Sequence, residues 1–302
     1  IDNLQGMIKN GDTKGEPTNF AEFLYFRFGA MLYREYFQPY NEKIWKRDLT
    51  TVPLSWLEGK LPMPTLKEIL YNNFIHLEEK NFVHSTFFYP RYGGSQFLAN
   101  KLAEELDIRY NTQVVSLEKR NECWLVNNDC FDQVIFCGNI KDLPVLLNNV
   151  VDISSFESMI EKLEYHGTTS VFCEIEKNPY SWIYMPSHIH EAHRIICTGN
   201  FAESNRANGV MSATIEFTDE ISKNDIIDNL SRIPYHPKYI AHNYAPYTYP
   251  IQAKDTREFV NSVKCVTEPE GLFLLGRFAE WEYYNMDVAM GAALDLCNNK
   301  LK

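Results

Sequence analysis

The stretch "LLGRFAEWEYYNMDVAMGAALDL", residues 274–296, decides how the rest of the sequence is interpreted. An apolar strand runs into Gly276 and Arg277, and after an aromatic cluster a helix begins whose first turns contain Ala and Gly. Small residues and an arginine at such a junction indicate that a ligand or another backbone segment comes close. Asn285 can cap the helix and Asp287 suits its first turn, so the helix amides beside Arg277 predict a site for an anion or a polar carbonyl. The alternative interpretation is a surface salt bridge beside an Ala-rich helix packed on a sheet.

Composition and charge narrow the class of protein. The chain has 302 residues, and 45% of them are hydrophobic, which is enough for a sizeable core and about two domains. The formal net charge of -11 argues against a nucleic-acid partner, because phosphate contacts need a basic face. The apolar runs are too short for a membrane span, which needs roughly 18 residues. We therefore predict a soluble protein that holds any anionic ligand with a few well-placed cations.

The cysteines and histidines predict neither a metal site nor a catalytic thiol. His188, His190 and His193 of "HIHEAHR" match no standard zinc spacing. The cysteines are odd in number, scattered and without a CxxC pair, so we expect reduced core residues of a cytoplasmic protein. These seven residues are Cys123, Cys130, Cys137, Cys173, Cys197, Cys265 and Cys297.

The N-terminal quarter of the chain is predicted to be helical. Aromatic residues recur at three- and four-residue spacing over 20–37, where Thr18 and Asn19 can cap a helix that Pro39 ends. "PLSWLEGK" and "TLKEILYNNF" predict two further short helices.

The remaining sequence alternates strands with helices. "STFFYPRYGG" predicts a short aromatic strand and a turn at Gly93 and Gly94, before another helix. "IRYNTQVVSLEKR" and "CWLVNN" predict a hairpin, and "QVIFCG" predicts a buried strand. "VFCEIEK", "SWIYMP", "HRIICTGNF" and "VMSATIEF" predict an antiparallel sheet, which two helices follow around an extended segment interrupted by Pro246. This order predicts a mixed α/β (α+β) fold in which distant segments share one layer.

Several segments, in the same order, resemble the UDP-galactopyranose mutase family. That family lies within a larger flavoprotein group with the amine oxidases and protoporphyrinogen oxidase. The matching segments, spread from about residue 20 to residue 297, are "YNEKIWKRDLTTVPLSWLEGKLPMPTLK", "FFYPRYGG", "HRIICTGNF", "YTYPI" and "LLGRFAEWEYYNMD".

The resemblance implies an isomerase that converts UDP-galactopyranose to UDP-galactofuranose for lipopolysaccharide and other surface polysaccharides. In such an enzyme N5 of reduced FAD attacks the anomeric carbon and UDP departs, then the sugar ring opens, recloses as the five-membered form and takes UDP back. The implied partner is a UDP-sugar, and a homo-oligomer is compatible with this activity.

The resemblance also implies roles for individual residues, carried over from their positions in the matching motifs. The implied catalytic residues, which hold the diphosphate, are Arg194, Lys60, Tyr249 and Tyr283. The implied cofactor-binding residues are Gly93, Gly94, Gly276, Arg277, Asn285, Met286 and Asp287. The implied substrate-binding residues are Tyr40, Asn41 and Trp45. Lys60 stands where the family has a second arginine, so it keeps the charge and loses the two-pronged hydrogen bond.

The family's glycine-rich dinucleotide-binding fingerprint is absent from the sequence. We therefore expect a C-terminal part of a longer flavoprotein, which would bind FAD weakly or not at all without that turn. The expected segments are a flexible N-terminal segment (1–17), a helical substrate-side subdomain (18–84), part of a Rossmann-like FAD-binding domain (85–150), an antiparallel-sheet substrate domain (151–250) and a C-terminal FAD-binding segment (251–302).

Two other functions remain open at this point. One is a flavin-dependent amine oxidase or desaturase, which Lys60 favours and which Arg194 with the tyrosine pair opposes. The other is a non-catalytic sugar-nucleotide-binding protein without flavin, to which the absent fingerprint points.

Overall fold

The computed structural model describes residues 16–54, 71, 74–75, 86–120, 123–147, 150–206 and 209–301. The α-helices in these residues are α1 (Phe20–Leu32), α2 (Gln38–Trp45), α3 (Gln96–Ala103), α4 (Leu143–Leu147), α5 (Glu157–Glu161), α6 (Lys223–Leu230), α7 (Thr256–Thr267) and α8 (Met286–Asn299). The strands are β1 (Leu117–Arg120), β2 (Cys123–Val126), β3 (Asp129–Phe131), β4 (Val134–Phe136), β5 (Tyr165–Ile175), β6 (Trp182–Tyr184), β7 (Arg194–Ile196), β8 (Met211–Thr218), β9 (Lys238–Pro250) and β10 (Leu272–Leu274).

The chain divides into two compact units. The first consists of Ile1–Leu106 and Gly167–Pro246, and the second of Asp107–His166 and Tyr247–Lys302. Helices and antiparallel sheets occur together, which confirms the predicted mixed α/β class. Lys60 and most of the two helices predicted in "PLSWLEGK" and "TLKEILYNNF" lie outside the described residues.

The first unit is built on a five-stranded sheet in the order β6-β7-β8-β5-β9. Its β6–β7, β7–β8 and β5–β8 pairs are antiparallel, as the sequence predicted. Because side chains alternate between the two faces of a strand, Ile195 and Ile215 lie on one face, where they are buried with Ile226 and Leu230 of α6. The neighbouring positions therefore place their side chains on the opposite face, which we call the open face.

The N-terminal helices differ from the prediction at Pro39. Asn19 caps α1 as expected, since its side-chain oxygen accepts the Glu22 N–H at 3.0 Å. The helical region then continues through a π-helical turn, Tyr33–Phe37, into α2. Pro39 lies in the first turn of α2, where a proline is tolerated because the N–H that it lacks would have no partner inside the helix.

A lysine connects α2 to the segment between β6 and β7. The Lys43 ammonium donates to the main-chain oxygens of Met185 at 2.9 Å, Ser187 at 2.5 Å and Ala192 at 3.0 Å. Burial, followed by the nearby charge of Lys46, lowers the pKa of Lys43 to about 8. The segment that leads into β7 is therefore held against α2 by one side chain.

The second unit combines a small antiparallel sheet with a parallel strand pair. Strands β1, β2 and β3 form a meander, and β4 pairs in parallel with β10. Trp124 and Trp281 are fully buried in its core with Val260 and Val263 of α7. The pairing of β4 with β10 confirms that segments far apart in sequence share one layer.

Three further sequence predictions are wrong. Cys123 and Cys130 form a disulfide, with their Cα atoms 5.8 Å apart, because the antiparallel pairing of β2 and β3 brings them together. The aromatic residues of "FFYP" form no strand, and two of their rings pack on Phe201 instead. Pro246 lies inside β9 rather than interrupting it, because β9 is an edge strand in which a missing N–H is tolerated.

In the part of the chain that the structure describes, none of the helices has both the length and the apolar character needed to span a membrane.

The Lys43 contacts predict a large effect on stability. We expect Lys43→Met to lower the free energy of unfolding by about 1–3 kcal/mol, because it leaves three main-chain oxygens, two of them in buried residues, without their donor. Lys101→Met is the control, since Lys101 is half exposed and pairs with the exposed Glu104. Urea denaturation of both variants measures the difference, and an equal effect of the two substitutions would contradict the role given to Lys43.

Candidate functional site

The turn after β10, residues 276–284, is organised by Arg277. Its Nε donates to the main-chain oxygen of Tyr284 at 2.9 Å, and Nη2 donates to the same oxygen. Its Nη1 donates to the main-chain oxygen of Thr248 at 2.9 Å. The guanidinium therefore joins the end of the turn to the end of β9.

Arg277 also lies beside two predicted site tyrosines. The rings of Tyr249 and Tyr283 are stacked, with centroids 5.6 Å apart and planes 6° apart. The Arg277 Cζ is 4.7 Å from the centroid of Tyr283 and 5.9 Å from that of Tyr249. Cation–π attraction favours this arrangement. The structure thus brings these three predicted residues together, and we call them the arginine–tyrosine cluster.

A buried carboxylate that the sequence analysis missed fixes the same turn. Glu280 is only 6% exposed, and its Oε1 accepts from the Lys264 ammonium at 2.5 Å. Its Oε2 accepts the Gly276 N–H at 2.9 Å. Burial and the negative charge and hydrogen bond of Glu280 raise the pKa of Tyr284. The sequence signal that could have indicated this residue was an acidic side chain between Ala279 and Trp281, within an aromatic segment.

The main chain of the turn is held by α7 as well. Trp281 has a φ of 49° and is fully buried, and its indole N–H donates to the main-chain oxygen of Ile251 at 2.9 Å. Arg257 donates to the main-chain oxygens of Glu280 and Trp281, each at 3.2 Å, and pairs with Glu282 at 2.5 Å. These contacts stabilise a left-handed backbone conformation that a tryptophan rarely adopts.

One side of the turn is open. Gly276 has a φ of 99°, and a Cβ built there would have no heavy atom of the described residues within 4 Å. Asn285 is the N-cap residue of α8 as predicted, although its side chain makes no capping hydrogen bond with the described residues. Met286 is 61% exposed and Val288 48% exposed. Asp287 lies in the first turn of α8, as expected.

The second unit also contains a cavity after the parallel strand pair. Its volume is about 510 Å³, and the residues directly after β4, Cys137 and Gly138, contribute to its wall together with Phe136. Most of the remaining lining side chains are apolar. Ligands of α/β proteins commonly bind beyond the carboxyl ends of parallel strands.

The predicted glycine turn lies in the first unit. Gly93 and Gly94 have φ values of 79° and 60°, which side chains rarely adopt, so the glycines are needed for the turn into α3.

Arg194 is an ion-paired residue on the open face. It lies on β7 directly opposite Tyr184 of β6 and Glu216 of β8. Its Nε donates to Glu216 Oε2 at 2.7 Å, and Nη2 donates to the same oxygen. The two side chains are 24% and 13% exposed. Arg194 is therefore present where a ligand can reach it, with its charge balanced by a carboxylate.

Two histidines in the segment that leads into β7 are held neutral. His193 is buried, and its Nδ1 has no hydrogen-bond partner among the described residues. Burial, and then the positive charges of Arg194 and Lys43, lower the pKa of His193 to about 3. Burial and Lys43 likewise lower the pKa of His190 to about 4.

The three predicted substrate residues of α2 differ in their surroundings. Asn41 is buried, and its amide donates to a main-chain oxygen one turn earlier at 2.7 Å, while Trp45 is buried in the core. Tyr40 stacks on Tyr36 with centroids 5.8 Å apart, and meets Tyr184 at 5.5 Å with planes 87° apart. Tyr40 is thus the member of the three that reaches the open face. Tyr36 and Tyr184 were missed, because only strand register and helix packing bring them to Tyr40.

The predicted site residues therefore fall into two groups. Those of the first unit are Tyr40, Asn41, Trp45, Gly93, Gly94 and Arg194, and those of the second are Tyr249, Gly276, Arg277, Tyr283, Asn285, Met286 and Asp287. That both groups contact one ligand stays a prediction, as does the role of Lys60.

The Glu280 contacts predict a strong dependence of stability on this carboxylate. We expect Glu280→Ala to lower the free energy of unfolding by about 3–5 kcal/mol, because it leaves the Lys264 ammonium without its buried partner. Asp129→Ala is the control, since Asp129 and its partner Arg109 are more than half exposed, and we expect a loss below about 1 kcal/mol. Urea denaturation compares the two, and similar losses would show that Glu280 does not organise the turn.

The neutral histidines predict a loss of stability in acid. Their pKa values of about 3 and about 4 lie below the usual 6.5, so between these values the unfolded chain binds protons that the folded chain does not. The free energy of unfolding should therefore decrease as the pH falls from 6.5, by up to roughly 1 kcal/mol per pH unit for each histidine. Denaturation between about pH 4.5 and 6.5 measures this slope. His193→Gln should reduce it and His188→Gln, at an exposed position, should not; equal slopes would refute the assignment.

Comparison with known proteins gives matches among solved structures alone. No protein-family model and no curated protein matches the chain. The crystal structure of reduced UDP-galactopyranose mutase aligns over 98% of this chain and 71% of its own, with 17% identity and a TM-score of 0.84. A candidate protoporphyrinogen oxidase from Exiguobacterium sp. 255-15 aligns over 99% of this chain and 71% of its own, with 11% identity and a TM-score of 0.67.

A more distant likeness extends to an oxidoreductase from Methanosarcina mazei. It aligns over 89% of this chain and 65% of its own, with 8% identity and a TM-score of 0.52. At these identities the likeness concerns the fold. The resemblance predicted from the sequence is confirmed at that level: this chain has the fold of UDP-galactopyranose mutase and of the protoporphyrinogen oxidase-like proteins.

Proposed function

We propose that this chain acts in a flavin-dependent enzyme that isomerises UDP-galactopyranose to UDP-galactofuranose for surface polysaccharide synthesis. The observation that carries the proposal is the alignment with the mutase structure, whose TM-score of 0.84 exceeds the 0.67 of the oxidase. The arginine–tyrosine cluster supports it, because a diphosphate that leaves and returns needs hydroxyl donors held in place.

The residues around Gly276 fit the ring of a flavin. The space beside the Gly276 main chain is open, and Met286 and Val288 expose apolar surface at the start of α8. The first-turn amides of α8 suit the polar edge of the ring. Gly276, Arg277, Asn285 and Met286 would therefore hold the cofactor, which we propose to be reduced FAD.

The chain's own residues would bind and orient the nucleotide sugar. When bound, reduced flavin supplies the electron pair that attacks the anomeric carbon. The hydroxyls of Tyr249 and Tyr283 would donate to the diphosphate, and Arg277 keeps both rings in one orientation. In the first unit, Arg194 would donate to a diphosphate as a charged partner.

A second candidate is a flavin oxidase or desaturase that accepts a hydride on oxidised flavin. It is favoured by the Arg194–Glu216 pair, because an arginine whose charge is balanced attracts a diphosphate less than a lone arginine would.

The experiment that tests the proposal measures turnover and binding together. The FAD-loaded enzyme that contains this chain, supplied with a chemical reductant, should convert UDP-galactopyranose to UDP-galactofuranose, and chromatography measures the product. Arg194→Ala should raise the Kd for UDP by about 10- to 150-fold, because it removes a charged hydrogen bond. Arg34→Ala is the control at an exposed position of the first unit.

The possible results separate the two candidates. Absence of both UDP binding and turnover, with oxygen-dependent oxidation of an amine, would replace the mutase proposal by the oxidase. An unchanged Kd in Arg194→Ala would remove Arg194 from the diphosphate site.

A further inference from the structure

Tyr184, Arg194 and Glu216 form one row across three strands. Their register pairs are Tyr184 with Arg194 and Arg194 with Glu216, so the three side chains leave the sheet on the same face. Neighbouring strands are about 4.8 Å apart, which gives the row a width of about 10 Å. A ring, a guanidinium and a carboxylate are thereby placed side by side on the open face.

The tyrosine at the end of the row is both exposed and oriented. Tyr184 is 49% exposed, and Tyr40 packs against it with the two ring planes at 87°. Tyr40 in turn stacks on Tyr36 with planes only 3° apart. Burial raises the pKa of Tyr36 to about 12, so its phenol stays neutral behind the pair. The Tyr184 ring therefore offers an apolar surface of fixed orientation.

The carboxylate at the other end of the row, Glu216, lies beside an arginine that is proposed to bind an anion. A carboxylate beside an arginine that binds an anion lowers the affinity of that arginine for the anion. Glu216 nevertheless accepts two hydrogen bonds from the Arg194 guanidinium, and its side chain is still 13% exposed. A ligand that carries hydroxyl groups next to its anionic group would use both partners, because hydroxyls donate to a carboxylate and phosphate oxygens accept from a guanidinium.

We propose that this row binds the sugar ring of the nucleotide sugar: Glu216 accepts hydrogen bonds from sugar hydroxyls, and the Tyr184 ring packs against the C–H face of the sugar. The inference rests on the proposed function, since it takes Arg194 as a contact of the adjoining diphosphate. Glu216 and Tyr184 would then determine the specificity for the sugar, and other residues would determine the affinity for UDP.

The test compares two ligands that differ in the sugar alone. Calorimetry gives the Kd values of UDP and UDP-galactopyranose for the unmodified chain and for each variant. Glu216→Gln should raise the Kd of UDP-galactopyranose about fivefold relative to that of UDP, since a neutral acceptor replaces a charged one. The Kd of UDP itself should not rise, because Arg194 loses the carboxylate that balances its charge. Tyr184→Ala should weaken UDP-galactopyranose about 2- to 10-fold. Tyr184→Phe, the matched control, keeps the ring and should bind both ligands like the unmodified chain.

The outcomes distinguish this inference from the proposed function. Selective weakening of UDP-galactopyranose in both variants supports the inference. Equal effects on both ligands, or none, overturn it and leave the mutase proposal standing, with Arg194 and Glu216 as a cross-strand pair of the sheet. Failure of the unmodified chain to bind either ligand overturns the proposed function and the inference together. Because Tyr184 is half exposed, its substitution keeps the test decisive even where Glu216→Gln perturbs folding.

Discussion

The arginine–tyrosine cluster depends on a single buried charge, the carboxylate of Glu280. Removing a carboxylate from water is costly unless donors surround it, and here the donors come from Lys264, the Gly276 main chain and the Tyr284 phenol. Since two of these donors lie at the two ends of the turn, the charge is compensated only when the turn is closed. Closure in turn places the Tyr284 main-chain oxygen where the Arg277 guanidinium binds it. The position of the Arg277 guanidinium beside its tyrosines thus follows from the burial of Glu280, three positions further along the chain.

In the first unit, one face of the sheet is buried in the core and the opposite face carries polar side chains. Strict alternation along β7 produces this arrangement, because Ile195 faces the core while its neighbour Arg194 faces the opposite way. A shift of one residue in register would bury the arginine and expose the isoleucine. Lys43 restrains the segment before β7 by three main-chain contacts, which also favours this register. The packing of Ile195 and the polar contacts of Lys43 therefore both stabilise the register that places Arg194 on the open face.

The sequence predicted those parts of the fold that depend on residues close together along the chain. The alternation in "VMSATIEF", the antiparallel pairing of β1 with β2 and the cap at Asn19 are local features, and the structure contains each of them. The disulfide and the row across the open face were missed, because both depend on which residues face each other across strands. Glu280 was missed for a related reason, since a glutamate in an aromatic run is ordinary until a lysine from another helix is placed beside it. Pro39 shows the limit of a local rule, because the same residue can end one helix or begin the next.

Among the described residues, three cations near the predicted ligand positions have acceptors within the protein. Arg277 donates to main-chain oxygens, Arg194 pairs with Glu216, and Lys43 is surrounded by main-chain oxygens. In a chain with a net charge of -11, such cations attract a distant anion weakly, so they contribute little to the rate of encounter. Their contacts instead fix the direction in which each guanidinium points, and a pre-oriented donor loses less conformational entropy when a ligand arrives. Under the proposed function, recognition by these residues would therefore rest on geometry at short range, which favours discrimination among similar ligands over affinity for anions in general.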